Sequence, residues 1–249
     1  MKERQKINWL LILQGWAMMW VVIGHAGPAG SVDEYPSYAV FLYRFAYSFH
    51  MPLFITISGF LYFLTRLDNE KWGYSETIKE KLERFGIPFV VFTLVGMIMK
   101  SAFAGSVDRP TNILFGEFFH ALIYPGKGPM GEFWFIGTIM WFFALFPLWK
   151  ILIRNTRLSI VALLVLAAIS IWHPGSEFLA SSHVSKYAFY FYIGIICATL
   201  YKKNPEIITA RKFTLSTFMV GILIYLTGRS LRLPLMAPLG GVMFSLSIS

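Results

Sequence analysis

The stretch that decides the fold is INWLLILQGWAMMWVVIGHA, residues 7–26. A helix rises about 1.5 Å per residue, so a run of this length covers ~30 Å, the thickness of a bilayer's hydrocarbon layer. The basic residues before it, Lys2, Arg4 and Lys6, give it the outline of a secretory signal. Its apolar run is too long for a signal core, however, and several similar runs follow, so it reads as a retained first membrane helix.

The rest of the 249-residue chain agrees. Hydrophobic residues make up 56% of it and charged residues only 14%, against about 25% charged in soluble domains. That composition excludes a disordered chain, a coiled coil and an ordinary soluble enzyme. Further spans are expected at Phe45–Thr65, Gly86–Phe103, Phe133–Ile153, Leu158–Trp172, Tyr187–Tyr201 and Phe213–Thr227, with an eighth beginning near Leu233. Tyr38–Arg44 is expected to lie at the interface, and Asn112–Tyr124 to be interfacial or re-entrant. The expected fold is therefore all-α, a polytopic transmembrane bundle of about seven to eight helices. The final run, Leu239 to Ser249, stops inside an apolar stretch and implies a chain truncated relative to its full protein.

Charge sets the orientation. One set of loops collects Lys2, Arg4, Lys6, Arg66, Lys71, Lys79, Lys81, Arg84, Lys150, Arg154, Arg157, Lys202, Lys203, Arg211 and Lys212, fifteen in all. The other set holds six: Lys100, Arg109, Lys127, Lys186, Arg229 and Arg232. Positive residues concentrate on the cytoplasmic side, so the N-terminus is expected to be cytoplasmic. The net charge of +9 is then a matter of topology and implies no nucleic-acid partner. Cys197 is the single cysteine, which excludes a disulfide within the chain.

Polar side chains inside a membrane face the bundle interior or a wet cavity and mark function. Gln14 and His25 are eleven residues apart, which returns them to one helix face after three turns. His25 falls near the outer end of the span, just before the helix-ending Gly27-Pro28. A neutral imidazole there can accept a hydroxyl proton, or it can simply bond a neighbouring helix. In the second span, Pro52 frees backbone groups and Ser58-Gly59 permits close helix approach. His50 beside that break is expected at the depth of His25. No third ligand has metal-site spacing, since His120, His173 and His183 are read in outer loops, so no metal is expected. Glu117 and His120 read as a solvated or interfacial helix face, and Arg84 as a positive-inside anchor.

Together these residues resemble acyltransferase family 3, the integral-membrane acyltransferases of bacterial surface carbohydrates, with the fucose-O-acetylase-like branch nearest. The carrying stretches are Ile7 to Leu10 through Gln14-Gly15 to Val21-Val22-Ile23-Gly24-His25, and Phe49-His50-Met51-Pro52-Leu53-Phe54 with Ser58-Gly59-Phe60. Arg84 with Ile87-Pro88, then Phe133-Trp134-Phe135, match later landmarks, and Tyr192-Ile193-Gly194 is a weaker match. The resemblance implies a single transmembrane domain over 1–249, part of a fold of roughly ten helices. The family commonly places arginine eleven residues before the histidine. This sequence has Gln14, which can hydrogen-bond but cannot neutralise an anion.

By resemblance the chain is expected in the bacterial inner membrane, moving an acyl group, acetyl in the first instance, from cytoplasmic acyl-CoA to a hydroxyl of a cell-surface or lipid-linked carbohydrate. No bound cofactor is implied. His25 would take the hydroxyl proton, for direct attack on the thioester or for attack on an acyl intermediate. Gln14, His50, Ser58, Arg84 and Trp134 would form the substrate and acyl-donor site, with Arg84 holding the donor's phosphates. Two other readings remain: a transporter or flippase for a polar or lipid-linked substrate, and a non-catalytic membrane protein of polysaccharide assembly. Against transport, the two halves of the chain show no internal repeat.

Overall fold

The computed structural model describes residues 8–26, 35–69, 72–107, 111, 113–206 and 210–248. Lys2, Arg4, Lys6, Gly27, Pro28, Lys71, Arg109 and Asn112 lie outside the described residues. The helices are α1 (Asn8–His25), α2 (Ser37–Tyr62), α3 (Tyr74–Lys81), α4 (Ile87–Ala102), α5 (Phe115–Ile123), α6 (Trp134–Ala144), α7 (Phe146–Leu152), α8 (Thr156–Trp172), α9 (Ser181–Lys203), α10 (Arg211–Ser230) and α11 (Met236–Leu246). Among the described residues there is no strand.

The expected spans overlap helices, but Phe133–Ile153 is divided into α6 and α7, and Leu158–Trp172 and the run near Leu233 meet the shorter apolar helices α8 and α11. Four helical runs are long and apolar enough to cross a membrane: Ser37–Leu67, Tyr74–Ala102, Phe178–Lys203 and Arg211–Ser230. Gly131–Ala144 and Phe146–Leu152, bent by 57°, make a fifth if taken as one span. The bend falls where Pro147, at the start of α7, brings no backbone N–H. Trp149 ties it by donating its indole N–H to the Phe142 carbonyl at 2.7 Å. The chain is a multi-pass membrane protein of all-α class.

Tyr38–Arg44 leads into the second span as the first part of α2, because Pro36 precedes the helix and no breaker follows until Pro52. Glu117 and His120 share helix α5, and His183 lies in the first turns of α9 rather than in a loop.

The chain divides into two compact units, Met1–Phe63 with Tyr190–Ser249, and Leu64–Phe189. In the first, α1 buries Leu10, Leu13, Ala17, Trp20 and Gly24, a stripe at alternating steps of three and four residues. Helices α2 and α9 cross at a pair of glycines. A Cβ on Gly59 would overlap the Phe191 carbonyl, and one on Gly194 would overlap the carbonyl of Thr56. Only glycine allows the two backbones this close, the small-residue crossing expected where no hydrophobic effect drives helices together. In the Ser37–Leu67 run 61% of the span is buried, against 17% for Arg211–Ser230, so α2 is central to the unit and α10 peripheral.

In the second unit α3 passes through a wide helical turn, Leu82–Gly86, into α4. A similar wide turn, Phe63–Leu67, ends α2. Such turns add one residue between hydrogen-bonded partners and redirect the side chains after them. Helix α8 starts at Asn155, whose side chain accepts from the Arg157 and Leu158 N–H groups at 2.8 and 3.3 Å. Ile87, Val91, Phe92 and Val95 on α4 are exposed, as are Ile160, Val161 and Leu164 on α8. Faces of that kind are stable against lipid and not against water.

Candidate active site

His25 is the last residue of α1 and is exposed. Its ring meets that of Tyr47 on α2 edge-on, with centroids 6.4 Å apart. The ring of Tyr47 also meets that of His50, at 4.9 Å and 81°. The two histidines expected at one depth therefore flank one tyrosine. The approach of α1 to α2 here runs through Gly24, where an added Cβ would sit 3.2 Å from the Tyr47 ring.

The two imidazoles differ in what they offer. His50 is only 2% exposed, and its Nδ1 lies 2.8 Å from the Ala46 carbonyl oxygen. A carbonyl only accepts, so Nδ1 carries the proton and donates it. In the neutral ring this leaves Nε2 as an acceptor, a tautomer held by the helix itself. His25 is the accessible imidazole, able to meet a substrate hydroxyl, while His50 is a fixed acceptor behind it.

Gln14 and Ser58 are not brought to this pair. Gln14 is half-buried on the flank of the α1 stripe, about 16 Å below His25 at the helical rise. Between them Val21 is half-buried and Met18 is exposed, so the Gln14–His25 face is a shallow track along α1. Ser58 is half-buried and donates its hydroxyl proton to the Phe54 carbonyl at 2.8 Å. Its oxygen can still accept.

Arg84 and Trp134 belong to the second unit. Arg84 is exposed within the wide turn Leu82–Gly86 and pairs with no carboxylate among the described residues. Three residues earlier is Lys81, buried, with its ammonium 3.1 Å from Glu80. The same carboxylate takes Arg66 at 2.9 Å, and the Arg66 guanidinium lies 3.8 Å above the Trp72 ring. Arg66 and Lys81 had only the appearance of loop anchors in the sequence. Their burial comes with the pairing to Glu80, which residue spacing does not show. Trp134 opens α6 and stacks on His183 at 4.2 Å, nearly parallel also to Tyr187 at 5.5 Å.

A family model described as an acyltransferase domain matches residues 7–248, nearly the whole chain. The chain belongs to acyltransferase family 3. No curated protein and no solved structure matches it.

This family 3 chain is thus a membrane acyltransferase. Acyl transfer to a hydroxyl needs a group to take the hydroxyl proton and a binding surface for the donor. In the acyltransferase, side chains suited to the first need cluster in the unit of α1 and α2. Cations suited to an anionic donor cluster around Arg84. Among the described residues no three His, Cys, Asp or Glu side chains converge on a metal position.

Proposed function

We propose that this acyltransferase carries an acyl group, acetyl in the simplest case, from acyl-CoA to a hydroxyl of a cell-surface or lipid-linked carbohydrate. The observation that supports this most is the exposed His25 ring beside Tyr47, with the tautomer-locked His50 on the tyrosine's other side. His25 takes the acceptor hydroxyl's proton as its oxygen attacks the thioester carbonyl. The new C–O bond replaces the C–S bond, the CoA thiolate leaves, and the proton passes from the imidazolium to the thiolate. Proton removal by His25 serves direct transfer and attack on an acyl-enzyme alike.

In this reading the chain lies in the bacterial inner membrane with its N-terminus cytoplasmic, as a single acyltransferase domain. In the first unit Gln14 offers the donor a hydrogen bond along the α1 track and Ser58 a polar contact; in the second, Arg84 is the candidate for the donor's phosphates and Trp134 for a substrate contact. The test is mass spectrometry of surface glycans from cells with and without the gene, followed by transfer of labelled acetyl from acetyl-CoA by the purified chain. Glycans unchanged in acylation would refute it.

A further inference from the structure

Along α10, on the side facing α1, α2 and α11, runs an apolar groove of 400 Å³. Trp16 and Trp20 of α1, Phe41 and Phe45 of α2 and Phe244 of α11 form its walls, and its length follows α10 from Phe218 to Arg229. Eleven residues of helix are about 16 Å, half of a 30 Å hydrocarbon layer, so the groove is one leaflet deep. Two of its polar wall groups are already engaged. The Trp16 indole donates to the Ser245 hydroxyl at 3.1 Å, and the Tyr225 hydroxyl pairs with that of Ser48 at 3.1 Å. The Trp20 indole N–H is buried without a hydrogen-bond partner among the described residues, and the one charged group, Arg229, is exposed at the end of the groove without an acidic partner among them.

We infer that this groove seats the lipid anchor of the carbohydrate acceptor, a single hydrocarbon chain in the groove with its phosphate on Arg229. The inference rests on the acyltransferase reading above and adds how the acceptor is held. Capacity favours one chain. A 150 Å³ apolar cavity holds benzene, so this volume suits roughly 15 carbons and not the two chains of a phospholipid. Charge favours an anionic head, since one unpaired cation closes an otherwise apolar trough. Position favours the acceptor over bulk lipid. Trp20 is five residues before His25, and Arg229 lies at the far end of α10, so the groove opens at the end of the unit where His25 stands. A carbohydrate on the phosphate has only to cross the end of α1, about one helix diameter (~10 Å), to reach that imidazole.

The test uses the chain in phosphatidylcholine nanodiscs, with bound lipid counted by native mass spectrometry. Dodecyl phosphate should bind one per chain and displace poorly with phosphatidylglycerol at equal mole fraction. Arg229→Gln should weaken dodecyl phosphate at least fivefold and leave dodecanol unaffected, while Arg229→Lys restores binding. Ile222→Trp, which fills the groove, should abolish binding of both. Equal competition by phosphatidylglycerol, or indifference to Arg229→Gln, would make the groove an ordinary lipid contact and overturn the inference. The two readings fail separately. Transfer to a lipid-linked glycan that ignores both substitutions would leave the enzyme and remove the groove, whereas the expected binding with no acyl transfer would remove the enzyme and leave the groove.

Discussion

Gly59 and Gly194 meet where α2 and α9 cross, each against the backbone of the other's helix. This crossing holds the helix that carries Tyr47 and His50. Gly194→Ala should destabilise the protein by ~1–3 kcal/mol, because the added methyl lands on the Thr56 carbonyl and neither backbone can retreat alone. Gly15→Ala is the control. Nothing lies within 4 Å of its Cβ position, so it should be neutral or stabilise by up to about 1 kcal/mol through helix propensity. Thermal unfolding in detergent distinguishes them, and equal midpoints would mean the crossing is looser than described.

His25→Ala should lower acyl transfer by ~10²–10⁴-fold, the usual loss for a general base, and leave the unfolding midpoint unchanged. The side chain is exposed, so little packing goes with it. Transfer by the purified variant is the measurement. Activity within a few-fold of the parent would leave His25 as a packing partner of Tyr47.

His50→Asn separates holding from chemistry. The asparagine amide can keep the hydrogen bond to the Ala46 carbonyl but offers nothing in place of the ring's Nε2. The variant should fold normally and lose about tenfold in transfer, the worth of one hydrogen bond of ~1.4 kcal/mol. Full activity in a folded His50→Asn would reduce the residue to a structural one.

Gln14 has no hydrogen-bond partner among the described residues, and the proposed function gives its amide to the donor. Gln14→Leu should weaken acyl-CoA binding by roughly 1–3 kcal/mol with little change in stability, and Gln14→Arg should preserve or tighten it. Calorimetric titration of acyl-CoA reads both. If leucine shifts only the unfolding midpoint, the donor runs elsewhere.

Topology is open to cysteine labelling after Cys197→Ser. Lys79→Cys should react with impermeant reagents only from the cytoplasmic side, and Glu117→Cys only from the opposite side. Both positions are exposed. The reverse pattern would move His25 to the cytoplasmic face and undo the proposed outward acceptor site.

The positions of most of the apolar helices were legible in the sequence because a membrane span announces itself by length and hydropathy, but the short helix α3 and the break between α6 and α7 were not. The polar exceptions were legible for the same reason. Gln14, His25 and His50 stand out against apolar neighbours, and the pairing of the two histidines at one depth followed from span direction. Which face of each helix turns inward was not legible. Lipid is as apolar as a protein core, so the periodic contrast that marks a buried face in water is missing. Nothing in the text of α4 or α10 says which side meets lipid. Tertiary structure alone buried Arg66 and Lys81 around Glu80. It alone stacked Trp134 on His183, residues separated by three helices, α6, α7 and α8. A sequence shows which groups are costly to leave in lipid, but the partners that make them affordable are chosen by packing.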